Sequence, residues 1–179
     1  ERGIHTIGGW KPITTMEWID GETLDVYLDR AIAEPYRLHR LLAQIEKLGS
    51  AFRKAEIAHG DLQHRNILVD KKGGMRVIDY DGMWVPSLEG RKSNEIGVGD
   101  YQHPGRTWEH YGQGMDRFSL IVMYLSLFAV ARHPELSPVA RVAGRPQSLA
   151  TLRAFGDEWT RFPDLLAAHE RIFEWYFEG

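Results

Sequence analysis

The chain has 179 residues, of which 43% are hydrophobic and 26% are charged, and its formal net charge is −3. This composition predicts one ordinary domain with a sizeable core, and the weak negative charge gives no reason to expect a nucleic-acid partner. The absence of cysteine excludes a disulfide framework and a thiolate metal site, and no apolar run reaches the roughly eighteen residues of a membrane span, so we expect no membrane partner and a cytoplasmic protein.

The N-terminal part of the chain predicts short β structure. Glycine and proline occur among apolar residues in residues 1–15, which suggests a hairpin or a loose lead-in. Residues 13–19 form a β-branched and aromatic run, which is typical of a strand. The turn formers Asp20 and Gly21 would end that strand.

Helices are expected over much of the remaining chain. A short helix is predicted over residues 23–33. A long amphipathic helix follows over residues 36 to about 58, with a soft interruption at Gly49, because its apolar positions recur at intervals of three and four. A buried apolar helix is expected over residues 116 to about 132, and a final helix over residues 162–176.

Three oxygen-bearing side chains are expected at the edge of one small hairpin. Asp61 and Asn66 lie five residues apart on a tight loop; an apolar strand then leads away, and a second apolar strand returns to end in Asp79. Phosphoryl transfer from ATP needs such a set, because one carboxylate orients the attacking hydroxyl while an amide and a second carboxylate hold magnesium. The alternative interpretation is that each is a turn residue, since Asp and Asn favour turns.

These residues resemble the catalytic region of the protein-kinase-like superfamily. Residues 59–66, HGDLQHRN, resemble the catalytic loop H-[R/G]-D-L-x-x-x-N, and residues 79–81, DYD, stand where kinases carry D-F-G. The resemblance implies a mainly α fold, the C-terminal lobe of a bacterial Ser/Thr-kinase-like protein. That lobe would be a helix bundle with a small β-hairpin carrying the catalytic and metal-binding loops. Residues 1–22 would end the N-terminal lobe and form the hinge, and residues 23–179 would form the helical lobe.

The resemblance assigns chemical roles to five residues. Asp61 would be the catalytic base. Gln63 stands where Ser/Thr kinases usually carry a lysine that neutralises the transferred phosphate, so the rate would fall unless another cation substitutes. Asn66 and Asp79 would bind Mg²⁺, and Asp81 is a possible additional ligand.

The adenine of ATP would lie against the strand predicted at residues 13–19. By resemblance, Met16 would be the gatekeeper, and the backbones of Glu17 and Ile19 would face the base. Leu68 would form the floor beneath adenine. The alternative interpretations are an ordinary edge strand and a core leucine.

Three further residues have expected positions rather than chemistry. By resemblance, His59 would pack into the core and bond to backbone near the magnesium-binding Asp79. Asp116 would hold the backbone of the catalytic loop, with a plain helix N-cap as the alternative. His64 lies on what should be an exposed turn, so we expect it at the surface and not as a general base.

The irregular region after the hairpin resembles an activation segment over about residues 79–106. Residues 97–104, GVGDYQHP, resemble its end, but Gly105 replaces the usual glutamate. Gly60 stands where many protein kinases carry an arginine that pairs with a phosphorylated segment, so we expect no switching of that kind.

The sequence lacks the G-x-G-x-x-G loop and the V-A-I-K strand of the ATP-binding lobe. The resemblance therefore implies that the chain is the larger lobe of a longer protein and is inactive alone. We expect an ATP- and Mg²⁺-dependent phosphotransferase, a transferase of the serine/threonine-protein kinase type. Its partners would be ATP, a protein substrate hydroxyl and the missing N-terminal lobe. A small-molecule phosphotransferase of the aminoglycoside- or choline-kinase type, and a pseudokinase used as a binding module, remain open alternatives.

Overall fold

A computed structural model describes residues 3–13 and 15–132 of the chain. This part contains five short strands and three helices. The strands are β1 Gly3–Thr6, β2 Gly9–Pro12, β3 Gly21–Thr23, β4 Ile67–Asp70 and β5 Met75–Val77. The helices are α1 Leu24–Ala31, α2 Pro35–Ala55 and α3 Arg117–Arg132. Single 3₁₀ turns lie at His64–Asn66, Pro86–Leu88 and Gly99–Tyr101.

The core lies where α2 and α3 pack together against α1 and β4. Helix α2 begins with Pro35. An N–H at the first helical position has no partner within the helix, so its absence in proline costs no hydrogen bond. The apolar residues of α2 recur every three or four positions and form one buried stripe, whereas α3 is apolar on most sides. Each fully buried aliphatic side chain contributes about 1.5–3 kcal/mol to folding. The buried residues of this core include Leu38, Leu41, Ile45, Ile67, Met123 and Leu127.

The three-stranded sheet follows directly on the loop at residues 59–66, since β4 begins at the next residue. Its order is β3-β4-β5, and both pairs are antiparallel. Leu68 of β4 is opposite Thr23 on one side and Arg76 on the other. The pairing continues past β5, since the Ile78 N–H donates to the Asn66 carbonyl at 2.9 Å. The chain therefore enters and leaves this hairpin at one edge, as predicted.

The prediction of a mainly α helix bundle is wrong. About 41% of the described residues are helical and 16% are in strands, and the strands form two small sheets. Only α2 and α3 are long helices that pack on each other in this part of the chain. The sequence argument missed β3, which it assigned to a turn and the start of a helix, and which adds a third strand to the hairpin.

The prediction of a strand over residues 13–19 is also wrong. Residues 15–20 have no regular secondary structure, and the strand begins at Gly21, where a stop was expected. The side chain of Met16 is 80% exposed and that of Trp18 is 89% exposed. Strand propensity is weak without a partner to pair and pack against, which explains the error.

Other elements agree with the sequence more closely. The lead-in forms the antiparallel hairpin β1-β2. Helix α2 runs through Gly49 without interruption and ends three residues early, where Glu56 is left-handed with φ of 54°. The final helix predicted over residues 162–176 lies outside the described residues. In residues 3–13 and 15–132, no helix combines the length and apolar character that crossing a bilayer requires.

Candidate active site

Asp116 anchors the loop that carries the candidate base. Its buried carboxylate accepts the backbone N–H of His59 and, at 2.9 Å, that of Gly60. Burial raises the pKa of Asp116, and these two N–H groups and the nearby Arg106 act in the opposite direction. The Asp116 side chain therefore holds loop backbone located 56 and 57 residues earlier in the chain.

His59 joins the loop to the strand that returns from the hairpin. It is fully buried, and its Nε2 lies 2.8 Å from the Ile78 carbonyl, which can only accept, so Nε2 carries the proton. Its Nδ1 then accepts the Asp61 N–H at 3.3 Å. This one imidazole thus sets the spacing between Asp61 and the residue before Asp79.

The Asp61 carboxylate is held in one orientation by three donors. Its Oδ1 accepts the Val98 N–H at 2.8 Å, and its Oδ2 accepts Gln63 Nε2 at 2.9 Å and Asn66 Nδ2 at 3.1 Å. Asn66 Nδ2 also donates to the Asp61 carbonyl at 2.8 Å. Donors in the loop and in the segment after the hairpin therefore both fix the Asp61 carboxylate.

Asn66, Asp79 and Asp81 are the residues predicted to bind Mg²⁺, and Asn66 is buried. The hydrogen bonds of the Asn66 side chain use its nitrogen, which leaves Oδ1 for another partner. Asp79 and Asp81 are exposed, and Asp79 has a left-handed φ of 65°. Burial raises the pKa of Glu95, and the charges of Asp61, Asp79 and Asp81 raise it further. Four carboxylates thus share one strongly negative region.

This region fits Mg²⁺ only in company with other ligands. Among the described residues no group of three or more His, Asp or Glu side chains is arranged to hold a metal ion. Mg²⁺ is commonly bound by one or two carboxylates together with substrate phosphates and water. An amide oxygen from Asn66 and a carboxylate from Asp79 are compatible with that mode, and the clustered negative charge favours a cation.

Gly60 is required by the space around it. Its φ is +90°, and a Cβ there would overlap the Gly82 carbonyl oxygen and lie 3.0 Å from Met115 Cε. A larger side chain cannot occupy this position without moving backbone. This steric constraint explains why position 60 is a glycine in this chain.

Arg106 supplies a cation that the sequence argument did not identify. Its Nη1 donates to the Gly60 carbonyl at 2.8 Å and to Gln102 Oε1. Burial lowers the pKa of Arg106, and the charges of Asp116, Asp61 and Glu95 raise it. The expected need for a cation in place of the lysine absent at position 63 is the one signal that could have pointed to Arg106.

His64 is buried, so the prediction that it lies at the surface is wrong. Its side chain is almost fully enclosed, with Nδ1 2.7 Å from the Tyr101 hydroxyl and Nε2 3.7 Å from Asp25 Oδ2. Burial lowers the pKa of His64 and raises that of Tyr101. Ser119 Oγ in turn donates to the Tyr101 carbonyl at 2.6 Å. These contacts fasten the segment after the hairpin to α1 and α3.

The residues predicted to face adenine lie in two regions of the chain. Met16 and Glu17 are exposed, Ile19 is half-buried, and all three lie in the irregular residues 15–20. No hydrogen bond recorded within residues 3–13 and 15–132 joins them to the catalytic loop. Leu68 is half-buried in β4, two residues beyond Asn66.

No model of a known protein family matches the chain. The resemblance to kinases therefore depends on residues 59–66 and 79–81 and on the contacts that surround them.

Proposed function

We propose that the chain carries the catalytic loop of an ATP-dependent phosphotransferase that acts on the hydroxyl of a protein substrate. One observation carries this proposal: the Asp61 carboxylate is fixed by Gln63, Asn66 and the Val98 N–H, on a loop that Asp116 anchors. A preorganised carboxylate beside a region of negative charge suits a group that orients an attacking hydroxyl. The kinase-like identity and the cytoplasmic location remain predictions.

Each residue of the loop has a defined task in this proposal. Asp61 would accept a hydrogen bond from the substrate hydroxyl and take up its proton. Gln63 would keep Oδ2 of that carboxylate in place, which is a positioning role. Asn66 and Asp79 would hold Mg²⁺, with Asp81 as a further candidate, and the ion would neutralise charge on the phosphates of ATP.

Arg106 compensates in part for the missing lysine at Gln63. Its guanidinium bonds to the loop carbonyl beside Asp61, and the two charges attract each other. Arg65, the basic residue two positions after Gln63, is exposed. The charge of Arg106 therefore offsets part of the repulsion that clustered acids would exert on a phosphate.

A binding module without activity is the second candidate. Both oxygens of Asp61 already accept protein donors, which also suits a purely structural carboxylate. The third candidate is a phosphotransferase whose acceptor is the hydroxyl of a small molecule. A labelling experiment separates the three candidates.

The test is to incubate the complete gene product with Mg²⁺ and ATP labelled at the γ-phosphate. We expect label on protein, and Asp61→Ala should lower the rate about a hundredfold or more, the range that general-base residues supply. Asp20→Ala is the matched control, because Asp20 is exposed and pairs only at the surface with Lys71. Label on a small molecule would favour the third candidate. Transfer that Asp61→Ala leaves unchanged, or no transfer at all, would overturn the proposal.

A further inference from the structure

A cavity of about 460 Å³ lies among residues 103–118, in the segment that leads into helix α3. Arg106 belongs to its wall and donates to the Gly60 carbonyl, so the wall and the loop share one side chain. The Phe118 ring, which packs edge-on against the His103 ring at 5.7 Å, adds an apolar surface. The lining residues that bear on its chemistry are His103, Arg106, His110, Tyr111, Met115 and Phe118.

Both histidines of this cavity keep Nε2 as a donor. His103 Nδ1 accepts the Gly105 N–H at 3.0 Å, and His110 Nδ1 accepts the Thr107 N–H at 3.0 Å. A ring nitrogen that accepts a hydrogen bond carries no proton, so the neutral imidazole must carry it on the other nitrogen. The backbone therefore sets the tautomer of both rings.

Hydrogen-bond donors outnumber acids among the lining residues, although Arg106 also interacts with Asp61, Asp116 and Glu95, which lie outside the lining. Glu109 is the one acid among the lining residues, and Lys92 Nζ donates to it at 2.5 Å. Arg106 Nε is buried without a hydrogen-bond partner. The wall thus offers two imidazole N–H groups and an aromatic surface. Arg106 adds its charge, but its Nη atoms already donate to the Gly60 carbonyl, to Gln102 and to the Met115 sulfur.

We propose that this cavity binds an acidic side chain, Asp or Glu, of the protein substrate. A carboxylate would accept hydrogen bonds from the imidazole N–H groups of His103 and His110, while its methylene groups would pack on Phe118. Charge-assisted hydrogen bonds of this kind are the strong ones. An uncharged amide of the same size lacks the charge that Arg106 attracts and would bind more weakly.

The position of the cavity limits where the acid lies in the substrate. Arg106 spans from the cavity wall to the carbonyl of the residue before Asp61. An extended peptide advances about 3.3 Å per residue, so the acid should lie about two to four residues from the hydroxyl that Asp61 orients. This inference adds a recognition site for the substrate to the proposed function, and it rests on that function.

The binding test does not need phosphate transfer. The ¹⁵N-labelled chain is titrated with N-acetyl-glutamate N-methylamide, with the glutamine analogue as the matched probe, and histidine ring nitrogens are followed by NMR. We expect saturable shifts at His103 and His110 with the glutamate probe only. His39 is the internal control, because its Nδ1 lies 2.8 Å from the Pro35 carbonyl and must therefore carry the proton.

The double variant His103→Asn, His110→Asn keeps a local acceptor near each Nδ1 position and removes both Nε2 donors. It should weaken binding of the glutamate probe by about tenfold or more, whereas His39→Ala should leave it unchanged. Equal shifts with the glutamine probe, no saturable shift, or unchanged binding in the double variant would each overturn the cavity assignment.

A peptide assay separates this inference from the proposed function. The complete gene product is offered Ser-containing peptides with Glu or Gln at each position two to four residues from the serine. We expect faster transfer to one of the Glu peptides, and the histidine double variant should remove that preference while transfer to the Gln peptide continues. Transfer without any preference for Glu would overturn the cavity assignment alone. Probe binding without transfer to any peptide would overturn the proposed function, and with it the assignment to a substrate.

Discussion

The loop at residues 59–66 and residues 15–20 are both short and irregular, but they are held in place very differently. Hydrogen bonds to distant parts of the chain hold the loop, among them those from His59 to Ile78 and from Gly60 to Asp116. In residues 15–20 Met16 and Trp18 are mostly exposed. Irregular backbone is well defined when its polar groups have fixed partners. The surroundings of Asp61 are therefore fixed by specific partners, whereas the side chains of Met16 and Trp18 face solvent.

Among the polar and glycine positions of the site, removing Asp116, which anchors the loop, should lower the stability of the protein most. Asp116→Ala leaves two buried backbone N–H groups unpaired, and we expect a loss of about 3 kcal/mol in the free energy of unfolding. The melting temperature should fall by about 6–12 °C. Asp81→Ala is the control, since Asp81 is exposed in the same region. Equal losses in the two variants would mean that the loop does not depend on its anchor.

Closing the space beside Asp61 should have the next largest effect. A Cβ on Gly97, where φ is +80°, would lie 2.6 Å from Asp61 Oδ1 and 2.8 Å from Gln102 Nε2. Gly97→Ala should therefore cost about 2–3 kcal/mol by chemical denaturation, of which about 1–2 kcal/mol comes from the left-handed backbone. Gly90→Ala is a matched control, because its φ is +77° and nothing lies within 4 Å of an added Cβ. If both substitutions lower the free energy of unfolding equally, the close approach to Asp61 does not affect stability.

Neutralising one acid of the negative region should have a smaller and opposite effect. The pKa of Glu95 in the folded protein is above its ordinary value, so its ionised form is disfavoured there. The resulting penalty is fully present above the folded-state pKa and disappears as the pH falls below the ordinary value of 4.5. Glu95→Gln should raise the melting temperature by about 2 °C at pH 7 and by much less near pH 4. A gain that is constant with pH would exclude charge repulsion as its cause.

The smallest effect is expected in the open segment. Met16→Ala should change the free energy of unfolding of this chain by less than about 0.5 kcal/mol, because the side chain is exposed. Leu62→Ala, in the fully buried position after Asp61, should cost about 2–5 kcal/mol and is the contrast. A large loss from Met16→Ala in denaturant titrations would show that residues 15–20 are held more firmly than their exposure indicates.

The sequence predicted the elements whose signals are local. The apolar spacing of α2 and the continuous apolar run of α3 predicted two long helices with errors of a few residues at their ends. The return of the hairpin β4-β5 toward Asp79 followed from two apolar strands around a turn. These signals depend on neighbouring residues, which is why they could be identified without the tertiary structure.

The tertiary structure alone decided which distant groups meet. It paired β3 with β4, buried His64 against Tyr101, and brought Arg106 to the Gly60 carbonyl, none of which the sequence argument had anticipated. It also left residues 15–20 without the strand that their composition favours. Local composition states what a residue can do, but a strand needs a partner and a buried polar group needs a specific donor or acceptor. Those partners are chosen by how the whole chain packs.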